Sequence, residues 1–259
     1  MEKIGIDKYL KDEKINIPEY AKNICIDIGL SYNSPYSQLW LSVNPNRFVI
    51  GCEPNLNNIR SINQGIPKGC IQLNKDFIDK KVYMLPCALD NVNGLEYKTF
   101  YNTINDPGCS SLYKPTEIGW IGEIVTVPCI SAKSIFDLIS WDRFKYIEHV
   151  KIDAQGNDFE IVKSMGNYLA EKVVYLTVEI TEEDIKSQYQ INYVGVTAKF
   201  NKYMQDNNFI RVSTICYYNR PSLSIANINH IDGKNLTYLN KKFSDVVEKD
   251  GLKCETILE

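Results

Sequence analysis

Two histidines, His149 and His230, and eight cysteines without a single CxxC pair leave the chain short of the closely spaced ligands that structural zinc sites use. No metal is expected. The formal net charge of −3 removes any general attraction to nucleic acid or anionic membrane. No apolar run reaches the roughly 18 residues of a membrane span. The opening MEKIGIDKYLKDEK has no apolar core of a secretory leader, so a cytoplasmic location is expected. Neither GxGxxG nor GxxxxGK[ST] occurs, which excludes the usual glycine-rich dinucleotide turn and the P-loop. There is no internal repeat and no low-complexity tract. Cys25, Cys52 and Cys87 fall inside apolar runs and read as buried free thiols.

What is present is a regular alternation. Residues 1–22 are polar with scattered Ile, Tyr and Leu and read as an N-terminal arm or helix; residues 23–259 read as one domain. Short apolar runs at Asn23–Gly29, Arg47–Glu53, Lys81–Leu89, Tyr146–Asp153 and Val173–Ile180 lack a polar face, as strands covered on both sides do. Helical segments are predicted between them over 34–43, 55–64, 131–140, 158–169 and 191–206, with 65–80 ambiguous. Two further strands are predicted at 95–101 and 121–130, separated by a long loop rich in Asn, Pro, Gly and Ser over 102–120. A polar linker spans 181–190, and the tail from Phe209 to Leu239 reads as two strands. Strand–helix alternation predicts βαβ units, a mainly parallel sheet and helices on both faces.

In such sheets ligands bind beyond the carboxyl ends of the strands. Here those ends carry acids: Asp27-Ile28-Gly29, Glu53-Pro54-Asn55, Ala88-Leu89-Asp90, Lys151-Ile152-Asp153 and Glu179. Glu53, at the end of the second strand, is placed to accept the ribose hydroxyls of an adenosine cofactor; its bland alternative is a solvated acid capping the next helix. The turn Gly29-Leu-Ser-Tyr-Asn-Ser34 has one glycine, and Tyr32 would obstruct a pyrophosphate. S-adenosylmethionine (SAM) has no phosphate and tolerates such a turn. Its ammonium suits Asp27 or Asp153, and Ser31 or Asn33 can donate to its carboxylate. Asp153 is also the candidate base, or the acid that orients a nucleophile, with Glu179 assisting; each can equally be a cofactor contact or a cap. Lys151 and His149 read as structural. Ser110, Ser111 and Gln155 are the candidate substrate contacts.

These segments together resemble the FkbM family of methyltransferases, from Ile24 to Ile180. CIDIG resembles its first motif, GCEPN its acid-Pro-Asn segment and LPCALDNVNG its third-strand segment. VKIDAQGNDFEIVKSMG followed by VVYLTVEI resembles its most distinctive stretch, and GCSSL and VPCISAKSIFDLI also fit. The first turn departs from the family's DxGAxxG at Leu30, Ser31, Tyr32 and Ser34. The resemblance implies a Rossmann-like class I methyltransferase fold with a seven-stranded, mainly parallel sheet. It implies SAM bound by Asp27, Gly29, Ser31, Tyr32, Asn33, Glu53, Pro54, Asn55, Ala88, Leu89 and Asp153. It further implies O-methylation of a small hydroxylated acceptor such as a sugar or glycan. RNA ribose 2′-O-methylation and a non-catalytic module with a degraded cofactor site stand as alternatives.

Overall fold

The computed structural model describes residues 5–64, 70–180, 188–191, 194–212 and 235–249. A small hairpin, β1 (Leu10–Lys11) and β2 (Lys14–Ile15), opens the described chain. The central sheet then takes β3 (Asn23–Ile28), β4 (Arg47–Cys52), β5 (Val82–Leu85), β9 (Ile147–Ile152), β10 (Val173–Glu179), β11 (Phe209–Val212) and β12 (Asn235–Asn240). Its spatial order is β11-β12-β10-β9-β3-β4-β5. The pairs β3–β4, β3–β9, β4–β5 and β9–β10 are parallel, and β12 alone runs against both its neighbours. That order, with its reversed strand next to the edge, is the Rossmann-like class I methyltransferase fold. The strand order changes direction between β3 and β9, which opens a crevice at their carboxyl ends.

Alternation along the strands sorts the two faces. Ile24, Ile26, Ile28, Phe48 and Ile50 join one core with residues of α3 (Ala132–Phe136), α4 (Asp158–Ser164) and α6 (Val196–Asp206). Cys25 and Val49 face the other way and meet Trp40 and Leu41 of α1 (Pro35–Val43) and Ile62 of α2 (Leu56–Gln64). The polar N-terminal segment is not a detached appendage: Ile6, Tyr9, Ile15 and Ile17 are buried in the first of these cores. Tyr9 stacks on Tyr83 with ring centroids 4.0 Å apart.

Several boundaries differ from the expectation, each for a local reason. The third central strand stops at Leu85, because Pro86 has no N–H to continue the ladder. Ala88–Leu89 instead forms β6, which pairs with β8 (Ile121–Ile130), itself antiparallel to β7 (Glu96–Thr103). The helix predicted over 158–169 is two pieces, α4 and α5 (Tyr168–Lys172), divided where Gly166 takes φ +56. The helix predicted from 191 starts at Val196, after Gly195 at φ +67. The predicted segments over 65–69, 181–187 and 213–234 lie outside the described residues.

Gly29 fixes how the two central strands end. Its φ is +74, and a Cβ built on it would lie 1.8 Å from the Asp153 carbonyl oxygen. The turn is further tied by Gly29 N–H to Cys52 O at 3.0 Å and Asp153 N–H to Ile28 O at 3.0 Å. Any side chain at position 29 must therefore push β3 and β9 apart. Gly29→Ala is expected to lower stability by about 3 kcal/mol through backbone strain and overpacking, read from its urea midpoint. A midpoint equal to that of the parent would contradict this packing.

Candidate functional site

The crevice beyond β3, β4 and β9 holds a cleft of about 240 Å³. Its floor is the strand ends at Ile28, Cys52 and Lys151. One wall is the turn Gly29–Asn33 running into Tyr36, the other is Cys87–Leu89 with Phe100, and a strap over Asp106–Ser110 crosses above. Asp153, Gln155, Asn157, Glu179, Gln188 and Asn235 line the remaining mouth.

Glu53 is the best-organised acid of the cleft. It is buried, and each carboxylate oxygen accepts a backbone N–H at 2.7 Å, from Ser31 and from Asn55. Burial pushes its pKa up to about 7, against the pull of the Asn55 and Ser31 hydrogen bonds. The Asn58 side chain also stabilises the charged form, and a carboxylate has about four lone-pair sites, so capacity remains for a ligand hydroxyl. Pro54 lines the cleft beside it. Asn55 stands behind it, with its Nδ2 donating to Ser110 Oγ at 3.2 Å.

The strap is held by polar side chains. Tyr32 donates to Asp106 Oδ1 at 3.1 Å, Asn58 to Pro107 O at 3.2 Å, and Tyr189 to Cys109 O at 2.7 Å. Ser110 lines the cleft, but its hydroxyl donates to Pro107 O at 2.8 Å and accepts from Thr103 N–H at 3.1 Å. Ser111 is buried and donates to Gln155 O at 2.7 Å. Both serines therefore fasten the strap, and Ser111 lies away from the cleft lining.

The loop after β9 is built around Asp158, whose carboxylate accepts from Ala154 N–H at 3.1 Å and Gly156 N–H at 3.0 Å. Burial, then repulsion from Asp153, pushes Asp158 up to about 7. Those bonds permit Gln155 its φ of +53. Gln155 Nε2 then donates to Asp153 Oδ1 at 2.6 Å, and its Oε1 lies 2.9 Å from the Tyr189 hydroxyl, whose one proton it shares with Cys109 O. Asn157 joins this loop to the opposite wall by donating to Leu89 O at 2.8 Å. Ala88 and Leu89 supply an apolar stretch of that wall.

Asp27 is not on the cleft surface. As the penultimate residue of β3 it points to the face covered by α1, where Ser37 donates to it at 2.6 Å. Burial raises its pKa, and Lys151, 3.4 Å away, opposes that rise. Lys151 is the corresponding correction: it is not merely a strand residue but lines the cleft. It donates to Gly29 O at 2.9 Å and lies 3.5 Å from Asp153. Burial works against its charge, but Asp153 and Asp27 outweigh that and hold its pKa above the ordinary value. Register could have revealed this, since Asp27 and Lys151 are direct partners across parallel strands. Tyr36, Asp106 and Cys109 also line the cleft without having been expected there. Burial pushes the Tyr36 phenol up to about 12. Ser31 and Asn33 do line the cleft, although Asn33 Oδ1 is engaged by Ile71 N–H at 2.8 Å.

His149 lies within β9, buried, with Nε2 2.8 Å from Thr177 Oγ1; burial pushes it down to about 3, so it is a neutral core group. Among the described residues, no group of three or more His, Cys, Asp or Glu is placed to hold a metal ion, and no helix is long and apolar enough to cross a membrane.

No family model and no curated protein matches the chain. Among solved structures it is similar to the precorrin-6y C5,15-methyltransferase of Geobacter metallireducens GS-15, at 14% identity and a TM-score of 0.35, over 74% of this chain and 67% of that one. It is also similar to the plantazolicin methyltransferase BpumL, solved in complex with SAH, at 8% identity and a TM-score of 0.38, over 84% and 76% of the two chains. A third similar structure is described as an antibiotic-related methyltransferase, at 9% identity and a TM-score of 0.35, over 85% and 86%.

Proposed function

We propose that this chain is a SAM-dependent methyltransferase that methylates a hydroxyl of a small acceptor, of the sugar or glycan kind that the FkbM resemblance implies. The observation that carries this reading is Glu53: a buried carboxylate at the end of the second strand, held by two backbone N–H groups, with its remaining lone pairs in the crevice. Ribose hydroxyls are the natural donors to such a group. The cradle fits the cofactor in three further respects. Gly29 leaves no side chain between the turn and the cleft floor. Ala88 and Leu89 present apolar surface to a base, and Tyr32 occupies the position where a pyrophosphate would need space.

When bound, SAM supplies a methyl group already activated on a sulfonium. The protein then has to hold the acceptor oxygen in line and take its proton. Asp153 is the residue for that proton. It is about one-third exposed at the cleft mouth, and Gln155 and Lys151 fix its carboxylate. Glu179 stands at the end of the adjacent strand and lines the same mouth, as the assisting carboxylate. Gln155, Gln188 and Asn235 give this mouth amide donors and acceptors for hydroxyls of the acceptor.

Calorimetric titration with S-adenosylhomocysteine (SAH) is expected to show micromolar binding, with none for NADH. Glu53→Ala should weaken it about a hundredfold, two hydrogen bonds to a charged group at roughly 1.5 kcal/mol each. Unchanged affinity in that variant would remove the ribose role. Once an acceptor is found, Asp153→Asn should lower turnover about a hundredfold or more while SAH affinity changes less than tenfold. Full turnover in the variant would exclude Asp153 as the base.

The Glu53 pKa of about 7 adds a pH signature. Ribose hydroxyls favour the ionised carboxylate, so SAH affinity should rise as pH climbs through 7, and Glu53→Gln should flatten the rise. The ligand-free protein should show the opposite trend. A folded-state pKa raised above the unfolded value means that stability from this group, full at low pH, is lost as pH climbs through 7. The parent should lose more stability than Glu53→Gln between pH 5 and 8, measured by urea unfolding; parallel profiles would contradict it.

A further inference from the structure

We infer that Lys151 is the countercharge for the carboxylate of the ligand's amino-acid end, and so decides that the cleft takes an amino-acid-bearing nucleoside. The inference rests on the reading of the site as one for SAM. Among the described residues lining the cleft, four are acids: Glu53, Asp106, Asp153 and Glu179. Lys151 is the one cationic side chain among them. An entering ammonium therefore has several acids to choose from, whereas an entering carboxylate has a single cation.

The groups that sequence alone offered for this carboxylate, Ser31 and Asn33, are neutral donors and supply no countercharge. Ser31 N–H is committed to Glu53, and Asn33 Oδ1 holds Ile71 N–H. The Lys151 ammonium has three donors. One is closed on Gly29 O at 2.9 Å. The contacts to Asp27 and Asp153 are 3.4 and 3.5 Å. Those exceed the roughly 2.7–2.9 Å of a closed charge-assisted hydrogen bond. Asp27 Oδ1 in fact has no hydrogen-bond partner despite the nearby charge. The ammonium is thus anchored at the Gly29 turn, centred between two acids and saturated by neither. Its donors remain available to a better-placed oxygen at the cleft floor.

The test compares two ligands that differ only in this group: SAH, and S-adenosyl-3-thiopropylamine, which keeps the ammonium and lacks the carboxylate. The parent protein is expected to bind SAH at least tenfold more tightly. Lys151→Met should bring that ratio to near one, and Lys151→Arg should keep most of it. A ratio is used because a partly misfolded variant loses both ligands equally. Lys151→Met combined with Asp27→Asn, which leaves no unpaired buried charge at position 27, should show the same collapsed ratio. If Lys151→Met weakens both ligands alike and keeps the ratio, Lys151 is structural and the inference fails. If the parent binds the two ligands equally, the inference fails while the cofactor assignment stands. If the parent binds neither, the cofactor assignment itself falls, and this inference with it.

Discussion

A parallel sheet covered on both faces offers its interior no water, so a charge placed inside it must be matched by another from within the sheet. Here that match is Asp27 on β3 with Lys151 on β9, direct neighbours in register across the two central strands. The pair sits one step below the point where the strand order reverses. It therefore joins the two halves of the sheet where they must separate to form a crevice. Ser37 brings α1 onto the same acid, and Lys151 reaches up to the Gly29 carbonyl. One buried ion pair thus orients a helix, a turn and the Asp153 carboxylate together. Buried pairs of this type add little net stability compared with a well-packed apolar pair, but removing one partner is costly. Their value here is placement.

Glu53 and Asp153 of the cleft, and Asp158 in the loop behind it, fall into two environments, and the difference follows from backbone geometry. Glu53 and Asp158 are buried, are held by backbone N–H groups and are pushed up to about 7. Asp153 is partly exposed between an amide and an ammonium. A carboxylate whose oxygens are fixed by backbone donors is suited to recognition, because its orientation is set before any ligand arrives. A carboxylate at an open mouth is suited to exchanging a proton with an acceptor or with water. The same residue type at successive strand ends is thereby divided between holding and reacting.

Much of this was legible from sequence because parallel strands announce themselves as unbroken apolar runs. The runs from Asn23, Arg47, Tyr146 and Val173 became four adjacent central strands within a residue or so of the expected limits. Three of their terminal acids, Glu53, Asp153 and Glu179, could be placed at the crevice edge for the same reason. What sequence could not supply was the sideways relation between strands. Along its own strand Asp27 reads as a ligand contact and Lys151 as structural; only the pairing across the two strands exchanges them. The serines of the strap read as ligand contacts because a hydroxyl in a loop does not disclose which carbonyl it will find. Pro86 was visible, but its effect, ejecting Ala88–Leu89 into a separate sheet, depends on β8 being there to receive it.

The strap over Asp106–Ser110 carries a consequence for timing. Three of its ties, from Tyr32, Asn58 and Tyr189, are polar contacts that water can replace, rather than buried apolar packing. Each such bond contributes on the order of 1 kcal/mol net. Lifting the strap thus costs far less than disturbing the sheet beneath it, and openings of this kind occur on microsecond to millisecond scales. On the reading of the cleft as a cofactor site, a nucleoside at its floor exchanges only when those few bonds open, so the strap sets a pace separate from that of the chemistry below.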